Sequence, residues 1–351
     1  MSWITSIARL EIQNLRAYEH ASWEPGLVRL HANELPWRSP GDDSVEGLNR
    51  YPEPHPLELG AALAALYGVD ARGTLACRGS DEAIDLLIRC YCSASRDAIV
   101  ICPPTFGMYG VAAGIQGATV LKAPLLREAG YGLDAKAVLE LCSPRVKLVF
   151  LCSPNNPTGT RLDRTATLNL ARALEGRALV VVDEAYVDFA DEPSLVDQVA
   201  TTPGLVVLRT LSKAYGLAGA RCGVLIAHAD IVDLLRRVIQ PYAVTQLSIE
   251  AVFRALRPEA LHQTQQRIAT LTAERRRVAP ILAATAGVTR VWPSQANFLL
   301  TEFEDPGAAL KRAHQAGLLV RDMRGGFGLT NALRITIGSP EQNDRLLASL
   351  Q

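Results

Sequence analysis

A lysine with hydroxyl side chains before it and an arginine after it is the segment of this sequence that most clearly predicts chemistry. Thr210 and Ser212 precede Lys213, a run of small residues follows it, and Arg221 comes eight residues later. Hydroxyls and a guanidinium bind phosphate groups well, and glycine lets the backbone approach a ligand closely. The segment therefore predicts a phosphate site beside a nucleophilic amine. A surface lysine in a glycine-rich turn is the alternative.

Polar residues also follow two other strand-like runs. Residues 153–159 contain two prolines and two asparagines, directly after the apolar run 147–152. Asp183 comes directly after the run 178–182, where an ionised carboxylate needs a cationic partner such as a protonated ring nitrogen. Ligands bind at the carboxyl ends of strands in open α/β sheets, so we expect both segments to line a ligand site. An ordinary turn and an acid that caps the next helix are the alternatives.

Two further segments fit a phosphate and a flat ring. Residues 78–83, Arg-Gly-Ser-Asp-Glu-Ala, open a predicted helix, and the free amides at a helix start favour an anion. Phe106 follows a third strand-like run and could stack on an aromatic ligand. A plain helix cap and simple core packing are the respective alternatives.

In this order and spacing, these segments resemble the fold-type-I pyridoxal-phosphate-dependent aminotransferases along nearly the whole chain. The resemblance implies that Lys213 forms an aldimine with pyridoxal 5'-phosphate. It also implies that Asp183 keeps the pyridine nitrogen protonated, which makes the ring an electron sink. The cofactor-binding residues implied are Gly79, Ser80, Asp81, Phe106, Asn156, Asp183, Tyr186, Thr210, Ser212, Lys213, Arg221 and Tyr51.

The resemblance also assigns roles within this set. Thr210, Ser212 and Arg221 would hold the cofactor phosphate, and Asn156 and Tyr186 would bind its phenolic oxygen. Tyr51 would reach the phosphate of the neighbouring subunit, which implies a homodimer; a solvent-exposed turn tyrosine is the alternative reading.

Within the family, four short segments most closely resemble the histidinol-phosphate aminotransferases: residues 31–34, 49–54, 319–322 and 333–338. The reaction implied moves an amino group between L-histidinol phosphate and 2-oxoglutarate in histidine biosynthesis. It gives imidazole acetol phosphate and glutamate by a ping-pong mechanism. An aromatic amino-acid aminotransferase or a threonine-phosphate decarboxylase would share the lysine segment and differ in the pocket. A non-catalytic regulator with this fold would carry an added DNA-binding domain, which we do not expect here.

The two substrates carry different anionic groups, a phosphate and carboxylates, and one pocket must accept both. Arginine suits this task because its planar fork pairs with either group. By resemblance, Arg321 and Arg334 are the candidates, with Tyr18 and Asn33 as neutral donors. Surface salt bridges are the alternative for both arginines. Leu35-Pro36-Trp37 and Phe106 depart from the usual pattern of the family, so the shape of the substrate entrance is left open.

The elements that must position these residues follow from alternating patterns. Apolar runs at 97–102, 147–152, 178–182, 205–208 and 222–227 alternate with helical stretches, which predicts a mostly parallel α/β sheet with helices on both faces. The resemblance sets the number of strands at seven. Long helical patterns and short strands from 245 onward are typical of a smaller α+β domain. We predict an N-terminal arm with part of the small domain (1–48), a large cofactor-binding domain (49–244) and a C-terminal small domain (245–351).

Composition excludes several other classes of protein. The formal net charge is zero and no basic block is present, so nucleic-acid binding is not expected. No secretory leader and no apolar run of about 20 residues is visible, so we expect a cytoplasmic protein without a membrane partner. The seven cysteines are scattered, and we interpret them as reduced core thiols rather than metal ligands.

Overall fold

A seven-stranded sheet dominates the computed structural model, which describes residues 2–20, 24 and 26–351. Its strands lie in the order β1-β7-β6-β5-β4-β2-β3. All of them are parallel except β7, which is antiparallel to both neighbours. The strands are β1 (Thr74–Cys77), β2 (Ala98–Ile101), β3 (Thr119–Lys122), β4 (Val146–Cys152), β5 (Leu179–Asp183), β6 (Leu205–Thr210) and β7 (Gly223–Ile226).

Helices cover both faces of this sheet. In β5, Val180 and Val182 pack into one buried core while Leu179 and Val181 pack into the other, as expected for a strand that is buried on both sides. The helices are α1 (Trp3–Ser6), α2 (Leu10–Gln13), α3 (Leu57–Tyr67), α4 (Ser80–Tyr91), α5 (Met108–Gln116), α6 (Ala135–Leu141), α7 (Arg164–Ala173), α8 (Ala229–Arg236), α9 (Gln246–Ala255), α10 (Pro258–Ala283), α11 (Pro306–Gln315) and α12 (Pro340–Leu350).

A second, antiparallel sheet lies in the C-terminal part of the chain. Its order is β10-β11-β9-β8, and it packs with α10, α11 and α12 around a core of its own. The strands are β8 (Val288–Val291), β9 (Phe298–Phe303), β10 (Arg321–Asp322) and β11 (Ala332–Thr336). Together the two sheets confirm the predicted fold class, a large, mostly parallel sheet between helices with a smaller α+β unit.

The predicted division at 48/49 and 244/245 stays a prediction. Ile249 and Val252 of α9, after the second boundary, pack into the core of the large sheet. Residues 1–48, predicted to contain few regular elements, begin with two four-residue helices. Residues 1, 21–23 and 25 of that arm lie outside the described residues. Ile4 and Ile12 are buried against the large sheet's helices, so the start of the arm belongs to this core.

Two predicted absences concern membranes and thiol chemistry. Within the described ranges, no helix is both long and apolar enough to span a bilayer. All seven cysteines lie in the described part of the chain, and each is buried with a free thiol. No group of histidine, cysteine and acidic side chains among the described residues could hold a metal ion.

Candidate functional site

The carboxyl ends of neighbouring parallel strands bring the predicted segments to one edge of the large sheet. Cys152, the last residue of β4, is the register partner of Asp183, the last residue of β5. β6 ends at Thr210, directly before the lysine segment. The loop after β4, the acid after β5 and the lysine after β6 therefore meet at the edge where ligands bind in open α/β sheets.

Asp183 is a buried acid at this edge, with 3% of its surface exposed. Its Oδ2 accepts a hydrogen bond of 2.8 Å from the Tyr109 hydroxyl, and its Oδ1 accepts one of 3.1 Å from the Ala185 amide. Burial raises the pKa of the Asp183 carboxyl to about 6, against the lowering effect of these hydrogen bonds. No salt bridge reaches Asp183 from any described residue, so a cationic ligand atom would have to supply the opposite charge.

Lys213 stands beside this acid on the loop after β6. Its Nζ lies 5.6 Å from the centroid of the Tyr186 ring. Partial burial lowers the pKa of the Lys213 amine, and the positive charge of Arg334 lowers it further. Both effects increase the share of neutral amine, which is the form that attacks a carbonyl or takes up a proton.

The start of α4 packs closely against the lysine segment. A Cβ at Gly223 would lie 2.4 Å from the backbone of Gly79 and Ser80, and one at Gly79 would lie 2.6 Å from a guanidinium nitrogen of Arg221. Gly79 also has a φ of +80°, which favours glycine. Only glycine at these positions lets the helix start and the Arg221 side chain come this close.

Phosphate-binding groups surround this contact. The Thr210 hydroxyl donates to the Ser212 hydroxyl at 3.0 Å and accepts from the Ser212 amide at 3.2 Å. The Arg221 guanidinium donates to the Ala218 carbonyl at 3.1 Å and lies 3.4 Å from the Asp81 carboxylate. Asp81 is thus turned toward a cation rather than toward the free amides of α4. Two hydroxyls, a guanidinium and a helix start make a set of donors that fits a phosphate.

Arg334 of β11 joins the small sheet to this site. Its Nη1 donates to the Asn156 side-chain oxygen, and the Asn156 amide nitrogen lies 3.5 Å from the Tyr186 hydroxyl, which accepts its hydrogen bond. The Arg334 guanidinium lies over the Phe298 ring at 5.3 Å, and its Nε is buried without a hydrogen-bond partner in the described structure. Among the described residues no carboxylate pairs with Arg334, so this partly buried arginine, with one N–H still free to donate, is suited to an incoming anion.

Arg321 is the register partner of Arg334 across the antiparallel pair of β10 and β11. Side chains of directly opposed residues project from the same face of a sheet. Two guanidinium groups therefore stand side by side, and the Arg321 charge lowers the pKa of Arg334, although less than burial does. Such a pair repels itself unless an anion lies between the two groups.

Three predicted residues lie apart from this site within the single chain. Tyr51 stacks on Tyr242 at 4.6 Å, and its amide donates to Glu34 at 2.7 Å. Tyr18 and Asn33 are exposed in the same N-terminal region. No hydrogen bond, ion pair or ring contact between described residues joins these side chains to Lys213 or Arg334. Their predicted roles need groups from elsewhere, such as a ligand or a second subunit.

Phe106, predicted to stack on a ring, packs edge-to-face on Tyr109 with the ring centroids 5.7 Å apart. Tyr109 itself was not among the predicted site residues, although it contacts Asp183 directly. The signal for it is its place in the sequence: it lies at the start of α5, three residues after Phe106, in the segment that follows the strand β2. Phe298, under Arg334, was also missed, and its strand-like context carried no functional signal.

Sequence comparisons agree with this arrangement. The model of the family "Aminotransferase class I and II" matches residues 34–350. A histidinol-phosphate aminotransferase of Xylella fastidiosa is 45% identical over 352 residues, covering 99% of this chain and 96% of the relative. The similarity is therefore not confined to the lysine segment and extends through both sheets.

Solved structures share the fold. A histidinol-phosphate aminotransferase from Sinorhizobium meliloti, in complex with pyridoxal-5'-phosphate, has a TM-score of 0.78 at 22% identity and covers 86% of this chain and 82% of that one. An L-threonine-O-3-phosphate decarboxylase from Porphyromonas gingivalis has a TM-score of 0.73 at 26% identity, with 86% and 92% covered. From the matched family model and the full-length relative, the chain belongs to the class I and II aminotransferases and, among them, to the family of histidinol-phosphate aminotransferases.

Proposed function

We propose that this chain transfers the amino group between L-histidinol phosphate and 2-oxoglutarate, with pyridoxal 5'-phosphate as cofactor. The products are imidazole acetol phosphate and glutamate. The observation that carries the proposal is a convergence at one sheet edge. Among the described residues, a buried acid that no side chain pairs in a salt bridge, a lysine with a lowered pKa and two opposed arginines with no acidic partner meet there.

The residues present fit this cofactor. Its phosphate suits Thr210, Ser212, Arg221 and the first amides of α4, where Gly79 leaves room for the approach. Its protonated ring nitrogen supplies the positive charge that Asp183 lacks. Phe106 would pack on its ring, and Asn156 and Tyr186 would bind its phenolic oxygen. When bound, the cofactor supplies an aldehyde that bonds to amines and a ring that accepts the electrons of a carbanion.

The protein groups then have distinct tasks. Lys213 holds the cofactor through its Nζ until the substrate amine arrives. Its freed amine takes the proton from the substrate carbon that bears the nitrogen and later acts as the acid. A pKa lowered by burial and by Arg334 suits both roles. Asp183 keeps the ring nitrogen of the cofactor protonated throughout. The kinetics follow a ping-pong order, because the oxo product leaves before 2-oxoglutarate binds.

Substrate anions are bound by the two opposed arginines. Arg334 offers a buried, unpartnered Nε, and Arg321 stands beside it. The phosphate of one substrate and a carboxylate of the other can each bridge the two guanidinium groups, since each anion offers at least two oxygens that accept hydrogen bonds. This shared use explains how one pocket accepts two unlike substrates in turn.

Replacing Arg334 by lysine is expected to weaken the binding of both substrates. Lysine keeps the charge but loses the planar fork. One or two charge-assisted hydrogen bonds of about 1.5–3 kcal/mol would be lost, so KM should rise roughly 10- to 100-fold for each substrate. Steady-state kinetics measure this change. The matched control is Arg290→Lys, an exposed arginine of the same sheet that stacks on Trp292 at 4.6 Å. Equal KM values for Arg334→Lys and wild type would show that Arg334 does not bind the substrates.

Formation of glutamate from L-histidinol phosphate and 2-oxoglutarate by the purified protein tests the proposed function. We expect this pair to react faster than any aromatic amino acid offered with the same acceptor. Threonine phosphate should release no carbon dioxide. A preference for an aromatic donor, or decarboxylation of threonine phosphate, would replace the proposal by one of its two alternatives.

We further propose a homodimer in which Tyr51 completes the cofactor site of the neighbouring subunit. Tyr51 is half exposed and stacks on Tyr242, so its side chain lies at the surface of its own chain. The same N-terminal region leaves large apolar side chains in contact with solvent, which is typical of a surface that binds a partner. These side chains are Leu27, Val28, Leu30, Leu35 and Trp37.

Mixing two defective variants tests this arrangement. Tyr51→Phe should bind the cofactor about tenfold more weakly, from the loss of one charge-assisted hydrogen bond, and Lys213→Ala should be inactive. A re-equilibrated mixture should exceed the summed activity of both at limiting cofactor, because one site of each hybrid dimer combines Lys213 with an intact Tyr51. The control pairs Lys213→Ala with a chain carrying both substitutions, which can form no complete site. No gain over the summed activities would mean that Tyr51 does not act across subunits.

A further inference from the structure

We infer that Tyr109 is a positioning residue for the proposed reaction: its buried hydroxyl fixes the orientation of the Asp183 carboxylate and favours its ionised form. This inference rests on the proposed function, in which Asp183 faces the cofactor ring nitrogen. It assigns to Tyr109 a task that acts through Asp183.

Packing holds the Tyr109 ring in place. The residue is fully buried at the start of α5. Its ring stacks on Phe150 with centroids 4.9 Å apart and an interplanar angle of 15°, and it also packs edge-to-face with Phe106. The hydroxyl, 2.8 Å from Asp183 Oδ2, is therefore aimed at the acid before any ligand binds. A donor fixed in advance avoids the cost of reorganisation when charge must be stabilised.

Tyr109 is also the strongest influence that opposes the burial of Asp183. Burial raises the pKa of the acid to about 6, and the Tyr109 hydrogen bond is the largest effect that lowers it. Without that bond the pKa would move higher still, toward the pH at which the enzyme must work. The other charged or titratable groups that face Asp183 are Asp81, Lys213, Cys152 and Tyr186.

These neighbours do not replace the hydroxyl. Asp81 raises the pKa of Asp183, and the Lys213 amine lowers it less than either hydrogen bond does. Burial and the nearby Asp183 raise the pKa of the Cys152 thiol and of the Tyr186 phenol, so both are neutral at working pH. An ionised Asp183 at neutral pH therefore depends mainly on Tyr109 and on the Ala185 amide.

Tyr109→Phe removes the hydroxyl and keeps the stacked ring. The matched control is Tyr91→Phe in α4, since Tyr91 is equally buried and its hydroxyl has no hydrogen-bond partner in the described structure. Both variants are expected to fold, and thermal unfolding of the cofactor-free proteins checks this. A loss of cofactor affinity in Tyr109→Phe but not in Tyr91→Phe would then be caused by the missing hydrogen bond to Asp183, and not by the removal of a buried oxygen.

Cofactor affinity, measured without substrate, is the readout. Cofactor-free protein is titrated with pyridoxal phosphate from about pH 5 to about pH 9, and the visible absorption of the bound cofactor is followed. At neutral pH, Tyr109→Phe should bind about tenfold more weakly than wild type. Binding is tighter with the ionised acid and weakens as pH falls through its pKa, so the midpoint of this weakening should lie at higher pH in Tyr109→Phe. The cofactor phosphate also titrates near pH 6, but equally in every variant.

An Asp183→Asn background separates positioning from general structure. Asparagine has no proton to lose, so Tyr109→Phe should no longer shift the pH midpoint there. The same shift in both backgrounds, or wild-type affinity and midpoint for Tyr109→Phe alone, would overturn the inference while leaving the proposed function intact. A wild-type protein that binds no pyridoxal phosphate would overturn both.

Discussion

Lys213→Ala is expected to abolish transamination. In the proposed mechanism the Lys213 amine holds the cofactor and moves the substrate proton, and loss of both tasks should lower turnover by roughly four orders of magnitude or more. Borohydride should trap no cofactor on the variant at position 213. Glutamate formation, followed over hours at high enzyme concentration, sets the residual rate.

Lys213→Arg is the matched control for charge. Arginine keeps the positive charge beside Arg334 and Asp183, but it cannot be deprotonated in proteins and cannot act as the base. It should be as inactive as the alanine variant. Substantial turnover in either variant would show that another group performs the proton transfer, and the assignment of Lys213 would be wrong.

Asp183→Asn is expected to bind the cofactor and lose most of its rate. The amide has nearly the same shape: its oxygen can still accept from the Ala185 amide, and its nitrogen can donate to the Tyr109 hydroxyl in place of the bond that Tyr109 donates to Asp183. It carries no charge, however, and cannot keep a ring nitrogen protonated. Loss of one preorganised electrostatic contact typically lowers kcat by a factor on the order of 100 to 1,000. Single-turnover kinetics at saturating cofactor measure the effect.

The control for this substitution is Asp197→Asn, which removes the charge of a more exposed acid paired with Arg164 at 2.6 Å. A surface ion pair of this kind contributes little to stability and should leave kcat unchanged. Wild-type turnover in Asp183→Asn would exclude the role given to its charge. If Asp183→Asn binds no cofactor, Asp183 would instead be needed for cofactor affinity.

The convergence of the site at one sheet edge could be predicted from the sequence because parallel strands place their carboxyl ends together. The runs before Asn156, Asp183 and Lys213 are continuous and apolar, which is typical of strands buried on both faces. The starts of helices also carry a signal in the sequence. Asp134 and Asp163 each accept a hydrogen bond from the backbone amide three residues later, as N-caps do.

Contacts between distant parts of the chain could not be predicted from the sequence in the same way. The Tyr109 bond to Asp183 spans 74 residues and the Arg334 bond to Asn156 spans 178. Local composition does not encode such pairs, because they depend on how the small sheet and α5 pack against the large sheet. β1 and β3 were missed for a different reason: they lie at the two edges of the sheet, and their sequences, Thr-Leu-Ala-Cys and Thr-Val-Leu-Lys, contain no continuous apolar run as long as those of the central strands.

The most direct test of the account is the mass of the peptide that contains Lys213 after borohydride reduction of cofactor-loaded protein. We expect a reduced pyridoxal phosphate adduct on Lys213, lost when L-histidinol phosphate is added before the reductant and regained when 2-oxoglutarate follows. An adduct on another lysine, no adduct at all, or an adduct that L-histidinol phosphate leaves unchanged would contradict the account.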